Sequence, residues 1–267
     1  DVLALGPFLV RKDAGRVRSV TVDQDAGTSP GADAIADCLV VCPACRGAVA
    51  SQAAATGDMV ACRACGRRFE TADGIPLLYW PTDESQIDRV SAIVQGFYEE
   101  NPFPGYEDID SADTLSTKAR RGIFAQLLDD QVPTRARVLE VGCGTGQLSN
   151  FLGIRGRTVY GADLCRNSLQ LAQRFRTRNQ LDTVHFLQMN LFRPVFPDAS
   201  FDLVISNGVL HHTDDPHGGF RSIATLVRPG GHIIIGLYNR YGRIWTDLRR
   251  RLFRLSGNRF QFLDGYL

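Results

Sequence analysis

The segment VLEVGCGTGQL, residues 138–148, decides the predicted fold because it joins a short apolar strand to a helix through a glycine-rich loop. Gly142, Gly144 and Gly146 lie directly between the two elements. Glycines there let the backbone approach a ligand closely, and the first turn of the helix offers N–H groups that have no partner within the helix. The segment therefore predicts a ligand-binding loop after the first strand of an α/β sheet.

Strands and helices alternate from residue 136 onward. Short apolar segments predict five strands, at 137–142, 157–163, 183–188, 201–207 and 230–238. Segments with helical character lie between them, at 145–154, 167–179 and 217–227. Repeated units of strand and helix indicate an α/β fold with a Rossmann-like, doubly wound, mostly parallel sheet and helices on both faces.

The residues around the glycine loop restrict the class of ligand. The second strand ends at Asp163, where a carboxylate can bind a ribose diol. The glycine spacing is G-x-G-x-G, with Gln147 next, and differs from the dinucleotide pattern G-x-G-x-x-G. Glu140 lies two residues before the first glycine, where a carboxylate would repel a pyrophosphate but could hold an amino group. The pattern therefore favours a zwitterionic nucleoside ligand that carries a sulfonium over NAD.

Four of the seven cysteines form two Cys-x-x-Cys pairs, Cys42 with Cys45 and Cys62 with Cys65. Two such pairs at this separation are typical of a structural zinc site, because four thiolates complete a tetrahedron and leave no open position. Two disulfides or unrelated thiols are the alternatives, and disulfides need an oxidising compartment to which no secretory signal directs the chain. We expect ligand binding at the glycine loop to survive removal of the metal, because the loop lies in another predicted domain.

Several motifs resemble known families. VLEVGCGTGQL, VYGADL, FPDASFDLVISNGVLHHTDDP and LVRPGGHIII resemble, in order, the motifs of class I S-adenosylmethionine-dependent methyltransferases of the type-11 group. The resemblance covers residues 138–236 and implies S-adenosylmethionine as the cofactor, but it says little about the methyl acceptor. The cysteine region, with DGIP after its last pair, resembles the Trm112-like zinc ribbon, which precedes methyltransferase cores for ribosomal RNA or for small molecules.

The methyltransferase resemblance implies roles for individual cofactor-binding residues. Asp163 would hold the ribose hydroxyls, and Leu164 would lie beside the adenine. Asn190 stands where the family usually has an aspartate, and it can accept the same hydrogen bond from the adenine amino group. The slot that begins at Asn207 would face the methyl group. The expected cofactor-binding residues are Glu140, Gly142, Gly144, Gly146, Asp163, Leu164, Asn190 and Asn207.

His211 and His212 follow the fourth strand and are the candidate catalytic residues. A histidine beside the transferred methyl group could accept a proton from an attacking hydroxyl or amine. The alternative is a packing role, since methyl transfer from a sulfonium often needs little beyond proximity and alignment.

The segment ENPFPGY, residues 100–106, resembles the Asn-Pro-aromatic motif of amino-group methyltransferases. The catalytic slot after the fourth strand is already filled by residues 207–210, so Asn101 is not expected to be that motif's catalytic residue. One remaining interpretation is a lid, with Tyr98, Phe103 and Tyr106 folded over the cofactor or acceptor. The other is a helix stop whose aromatic side chains pack on the core.

The predicted division of the chain has five parts. They are a partly disordered N-terminal segment at 1–37, a zinc ribbon at 38–80, a helical lid or linker at 81–135, the cofactor-binding core at 136–238 and a basic C-terminal helix at 239–267. The antiparallel hairpin that usually closes the sheet of these methyltransferases is not found. We therefore expect an open sheet edge or a chain that continues past Leu267.

Charge and hydropathy bear on partners and location. The net charge of +1 argues against a protein devoted to nucleic acid, although residues 238–267 hold seven arginines against two aspartates. No apolar run is long enough to span a membrane, and we expect a cytoplasmic protein without a membrane partner. The expected acceptor is a small molecule. Methylation of tRNA or rRNA, and a non-catalytic scaffold of the same fold, are the alternatives.

Overall fold

The computed structural model describes residues 8–11, 39–54, 57–82, 96 and 102–237. The strands are β1 Phe8–Arg11, β2 Val49–Ala54, β3 Gly57–Cys62, β4 Arg68–Ala72, β5 Ile75–Pro76, β6 Arg137–Val141, β7 Thr158–Asp163, β8 Val184–Gln188, β9 Phe201–Asn207 and β10 Val227–Gly236. The helices are α1 Ala112–Ala119, α2 Ile123–Gln131, α3 Gln147–Ile154, α4 Arg166–Arg178 and α5 Pro216–Ala224. Outside the described residues lie Asn101, most of residues 82–99 of the predicted lid or linker, and the predicted basic helix at 239–267.

The main sheet has six strands in the order β1-β10-β9-β6-β7-β8. The five strands from β6 to β10 are parallel, and helices connect most of them, as the alternating pattern predicts. Val138, Leu139 and Val141 of β6 are all buried, because both faces of a parallel sheet are covered. The Rossmann-like α/β fold is therefore confirmed.

An N-terminal strand covers one edge of this sheet. β1 pairs antiparallel with β10, with Phe8 opposite Ile235 and Arg11 opposite His232. The sequence predicted an open edge or a chain that continues past residue 267, and neither expectation included this strand. The expectation of an open edge beside β10 is therefore wrong, because a segment from the start of the chain supplies the missing antiparallel partner.

The helical region before β6, which belongs to the predicted helical lid or linker at 81–135, contains two short helices. It forms α1 and α2, which are separated at residues 120–122. Ser111 caps α1, since its side chain accepts a hydrogen bond from the backbone N–H of Thr114 in a capping box. Gly122 has an extended backbone at the N-cap of α2. The break at residues 120–122 therefore separates two short helices that both lie beside the sheet.

A buried ion pair fastens α2 to the start of β7. Arg157 is 1% exposed, and its guanidinium donates to the carboxylate of Asp129 at 3.1 Å and to the carbonyl of Val132. Arg120 and Arg155 also pair with Asp129. Burial acts to raise the pKa of the Asp129 carboxyl, but hydrogen bonds from the three guanidinium groups outweigh it and hold that pKa below its usual value.

The cysteine region forms a second sheet in the order β2-β3-β4-β5. This small sheet packs on the core, and buried side chains of both regions share one hydrophobic cluster that includes Val60, Phe69, Leu187 and Val195. The boundaries proposed for the five parts of the chain stay predictions. In the part of the chain that the structure describes, no helix is long and apolar enough to cross a membrane.

Candidate active site

A cavity of about 660 Å³ opens at the carboxyl ends of β6, β7, β8 and β9, where ligands bind in open α/β sheets. Most of the predicted site residues meet there. Those that line it are Glu140, Gly142, Gly144, Asp163, Leu164, Asn190, Asn207 and His212. Gly146 and His211 are not among the lining residues.

The glycine loop connects β6 to α3 with three residues in the left-handed region, Gly142 at φ 74°, Gly144 at 53° and Gly146 at 69°. A Cβ on Gly144 would lie 2.7 Å from the carbonyl oxygen of Phe103. A Cβ on Gly146 would lie 2.6 Å from the ring of Phe186, so this glycine serves the packing of helix on sheet. Gly142 and Gly144 line the cavity, and the missing side chain at Gly146 lets α3 pack closely on β8.

Asp163 is held in place by the loop that it faces. One carboxylate oxygen accepts the backbone N–H of Gly144 at 2.7 Å, and the other accepts the backbone N–H of Cys165 at 2.8 Å. A carboxylate has about four lone-pair sites in all, more than these two backbone N–H groups occupy. This arrangement suits the two hydroxyls of a ribose.

Glu140 is a buried carboxyl at the floor of the cavity. Its side chain accepts a hydrogen bond from the hydroxyl of Ser149 at 2.5 Å. Burial raises its pKa to about 7, the Ser149 hydrogen bond opposes that rise, and the nearby charge of Asp163 adds to it. A cationic amino group placed beside Glu140 would favour the ionised form, because opposite charges stabilise each other at short range.

Asn190 has an amide whose orientation follows from its hydrogen bonds. Its oxygen accepts the backbone N–H of Phe192 at 3.0 Å. Its nitrogen donates to the backbone oxygen of Trp80 at 2.9 Å and to the hydroxyl of Thr82 at 3.2 Å. The amide oxygen keeps one lone pair, which is what acceptance from an adenine amino group requires.

The two candidate catalytic histidines occupy different positions. A short 3-10 turn, Leu210–His212, follows β9, and the two histidine rings lie 4.1 Å apart between centroids. His212 lines the cavity together with Asn207 and Gly208. His212 is therefore the better placed of the two to meet an acceptor, and the base role of either histidine stays a prediction.

Residues 102–106, here called the proline segment, run along the outside of the glycine loop. The hydroxyl of Thr145 donates to the backbone oxygen of Pro104, and the amide of Gln147 donates to that of Gly105, both at 2.5 Å. Tyr106 donates from its hydroxyl to the backbone oxygen of Thr145 at 2.9 Å. No sequence pattern predicts these bonds, because they join irregular segments that are distant along the chain.

The aromatic side chains of the proline segment divide between the two interpretations of ENPFPGY. The ring of Tyr106 stacks on Phe175, with centroids 4.9 Å apart, and its burial raises the pKa of the phenol. Phe103 is 71% exposed and lines the cavity. Tyr106 therefore packs on the core, and Phe103 lies at the cavity mouth. Tyr98 and Asn101 are outside the described residues.

Helices α1 and α2 and the segment after the ribbon supply cavity walls that the sequence analysis missed. The lining residues from these regions are Tyr79, Pro81, Thr82, Leu115, Lys118, Ala119, Gly122, Phe124 and Ala125. Among the described lining residues, Lys118 is the one lysine or arginine. The helical periodicity of 112–130 was visible in the sequence, but nothing in it indicated which face meets the cavity.

The four paired cysteines come together as the spacing predicts. The Sγ atoms of Cys42, Cys45, Cys62 and Cys65 lie within 4.8 Å of one another. The Sγ atoms of Cys42 and Cys65 are 3.8 Å apart, and those of Cys45 and Cys62 are 3.5 Å apart. A tetrahedral zinc with Zn–S bonds of about 2.3 Å requires sulfur–sulfur distances of about 3.8 Å. The donor set therefore fits zinc, in a site that would be structural.

Comparison with known proteins agrees with the geometry of the core. The methyltransferase domain family matches residues 139–235, from β6 to β10. A ubiquinone biosynthesis O-methyltransferase of Aeromonas salmonicida is 38% identical over 106 residues, which cover 39% of this chain and 44% of that protein. An uncharacterized methyltransferase of Mycobacterium tuberculosis is 36% identical over 134 residues, which cover 50% of this chain and 64% of that protein.

Among solved structures, a SAM-dependent methyltransferase from Aquifex aeolicus is 16% identical with a TM-score of 0.40, over 46% of this chain and 71% of that chain. The chain spans 27% to 64% of the length of the curated relatives that it matches. Residues 139–235 are therefore similar in sequence to a methyltransferase domain, and their parallel sheet and glycine loop agree with that match.

Proposed function

We propose that the protein transfers the methyl group of S-adenosylmethionine to a small, largely apolar acceptor bound in the same cavity. The observation that carries this proposal is that polar and apolar side chains together line one volume of about 660 Å³. That volume falls within the range of about 300–1,000 Å³ that is usual for small-molecule sites. The apolar lining residues include Leu115, Ala119, Phe124, Ala125 and Leu148.

The lining residues near the glycine loop would make the contacts that the cofactor needs. Asp163 would accept the two ribose hydroxyls, Asn190 would accept from the adenine amino group, and Leu164 would lie against the adenine. Glu140 would attract the amino group of the methionine moiety. Lys118 can pair either with the carboxylate of that moiety or with an acidic group on the acceptor, because it is the basic lining residue of the described part of the chain.

The mechanism is a single displacement for which the protein mainly provides position. When bound, the cofactor supplies an electrophilic methyl group on a sulfonium. The walls hold the acceptor in line with that methyl group and exclude water, and such alignment accounts for much of the barrier reduction in a two-substrate reaction. His212, which lines the cavity, would accept the proton that the acceptor loses.

The cysteine cluster completes the proposal with one structural zinc ion. Four thiolates would bind it through Cys42, Cys45, Cys62 and Cys65, whose positions meet the geometric requirement of the ion. A zinc thiolate site fits a reducing compartment, and we therefore propose the cytoplasm as the location.

The first test of this function is binding. Calorimetry with S-adenosylhomocysteine should give saturable binding to the zinc-loaded protein, and no binding would leave the scaffold alternative. Transfer of a radioactive methyl group to fractionated metabolites, tRNA and rRNA then identifies the acceptor class. Label in an apolar metabolite fraction supports the proposal, whereas label in RNA alone would contradict it.

The RNA alternative has its own test. It was motivated by the charge of +5 at residues 238–267, a segment that lies outside the described residues. If that segment contacts phosphates, replacement of Arg249, Arg250 and Arg251 by Gln should reduce RNA affinity and lower the salt dependence by up to about three units. For a small-molecule acceptor, the same triple variant should retain transfer.

A further inference from the structure

Residues 77–82, here called the ribbon strap, leave the small sheet and run along the edge of the core. The backbone N–H of Leu77 donates to the carbonyl of Glu70 in β4, at 2.9 Å. The next N–H, of Leu78, donates to the carbonyl of Gln188 in β8, at 3.1 Å, and Leu77 forms a parallel bridge with Gln188. The strap is therefore hydrogen-bonded to the ribbon on one side and to the cofactor-binding sheet on the other.

The end of the strap forms part of the cavity. Tyr79, Pro81 and Thr82 line it. The amide nitrogen of Asn190 donates to the carbonyl of Trp80, and the guanidinium of Arg193 donates to the carbonyl of Thr82 at 2.6 Å. The orientation of the Asn190 amide therefore depends on where the strap lies.

The other face of the strap leads back to the cysteine cluster. The ring of Trp80 meets Phe69 of β4 edge-on, with centroids 6.4 Å apart. The guanidinium carbon of Arg67 lies 4.8 Å from the centre of the Trp80 ring, which is within the range of a cation–π contact. The backbone carbonyl of Arg67 accepts the backbone N–H of Cys62 at 2.8 Å. Direct contacts therefore connect a metal-ligating cysteine, through Arg67 and Trp80, to Asn190.

We propose that Trp80 is a positioning residue through which the metal-bound ribbon fixes the Asn190 side of the cofactor cavity. This inference rests on the proposed use of that cavity for S-adenosylmethionine. Folding of a small zinc site is coupled to its metal, so loss of the ion would release Phe69 and Arg67 from their positions against Trp80. The strap and the Asn190 amide would then have to be ordered at the moment of binding, which lowers affinity. The expectation that cofactor binding survives metal removal would accordingly be wrong.

The test uses the full-length protein and calorimetry with S-adenosylhomocysteine. Removal of the metal by a chelator should weaken binding by about tenfold or more. Trp80→Ala leaves all four cysteines in place and should retain its zinc. It should bind S-adenosylhomocysteine about three- to tenfold more weakly, because the Asn190 amide would no longer be held in position for its neutral hydrogen bond to the adenine. Trp80→Phe keeps a ring against Phe69 and should recover most of the affinity. Arg63→Ala, on the same cysteine turn, is the control and should bind as the wild type does.

A second measurement separates positioning from general stability. The backbone N–H of Phe192 donates to Asn190, so its hydrogen exchange should become faster in Trp80→Ala, while exchange in β6 and β9 should not change. If metal-free protein unfolds as a whole, Trp80→Ala decides the question, because it keeps the metal.

The outcomes distinguish the two proposals. Equal affinity of zinc-loaded protein, metal-free protein and Trp80→Ala would overturn the positioning role and leave the proposed function intact. A protein that never retains zinc would overturn it as well. Failure of the zinc-loaded wild type to bind S-adenosylhomocysteine would instead overturn the proposed function.

Discussion

Replacement of Asp163 by Ala tests the proposed ribose site. The hydrogen bonds of this carboxylate determine how much affinity and stability the variant should lose. If the carboxylate accepts hydrogen bonds from the ribose, the variant loses charge-assisted bonds of about 1.5–3 kcal/mol, which corresponds to a roughly ten- to hundredfold loss of affinity. The variant also leaves the backbone N–H groups of Gly144 and Cys165 without their acceptor. We therefore expect a loss of stability of about 1–3 kcal/mol. Replacement of a carboxylate that accepts no hydrogen bond from the protein would not cause such a loss.

Two further variants isolate the two effects. Asp163→Asn keeps the size of the side chain and one acceptor oxygen, so it should lose less stability than Asp163→Ala but still bind S-adenosylhomocysteine more weakly. Asp182→Asn, in the exposed turn before β8, is the matched control and should change neither property. Calorimetry measures affinity, and thermal unfolding measures stability. A folded Asp163→Ala protein with unchanged affinity would refute the ribose assignment.

Four other outcomes follow from the geometry. Metal analysis of protein purified without chelator should find about one zinc per chain, and a metal-free protein with an ordered ribbon would contradict the cysteine site. The folded-state pKa of Glu140 is raised to about 7, so its ionisation should reduce stability as pH rises from about 4.5 through 7; Glu140→Gln should remove that dependence in thermal unfolding. Asp129→Ala should lower the free energy of unfolding in urea by about 3–5 kcal/mol, because it leaves the Arg157 guanidinium buried without its carboxylate; a loss below 1 kcal/mol would argue against the pair. Phe103→Ala should raise the KM for the acceptor by a few fold with little change in melting temperature, because this ring is exposed at the cavity mouth; an unchanged KM would exclude a lid role.

The sheet was predictable because each core strand is a short apolar run with its own boundary residues. β9 is the clearest case, since its predicted and observed bounds are both 201–207. The cysteine cluster was predictable for a different reason, because the spacing of two Cys-x-x-Cys pairs is itself a geometric restriction. β1 was not predictable as the partner of β10, because four residues of apolar character do not encode which sheet edge they will meet.

The site was predictable only in part. Gly142, Asp163 and Asn190 belong to loops that follow parallel strands, and the fold brings such loops together at one edge of the sheet. The difference between His211 and His212 is set by a single 3-10 turn, whose geometry has no periodic signal. The proline segment and the ribbon strap are irregular chains, and their positions come from tertiary hydrogen bonds to Thr145 and Gln188.

The cavity is lined by residues from two parts of the chain, and we propose that the two parts bind different ligands. The segment that matches the methyltransferase domain family, residues 139–235, contains the groups proposed to bind the cofactor. The ribbon strap, Phe103 and the helices α1 and α2 all precede that segment, and the strap and helices add the apolar lining residues Tyr79, Pro81, Leu115, Ala119, Phe124 and Ala125. A cofactor common to many enzymes needs the same polar contacts in each of them, whereas each acceptor needs its own surface. Acceptor specificity should therefore change on substitution at Leu115 or Phe124, while affinity for S-adenosylhomocysteine should change on substitution at Asp163 or Asn190.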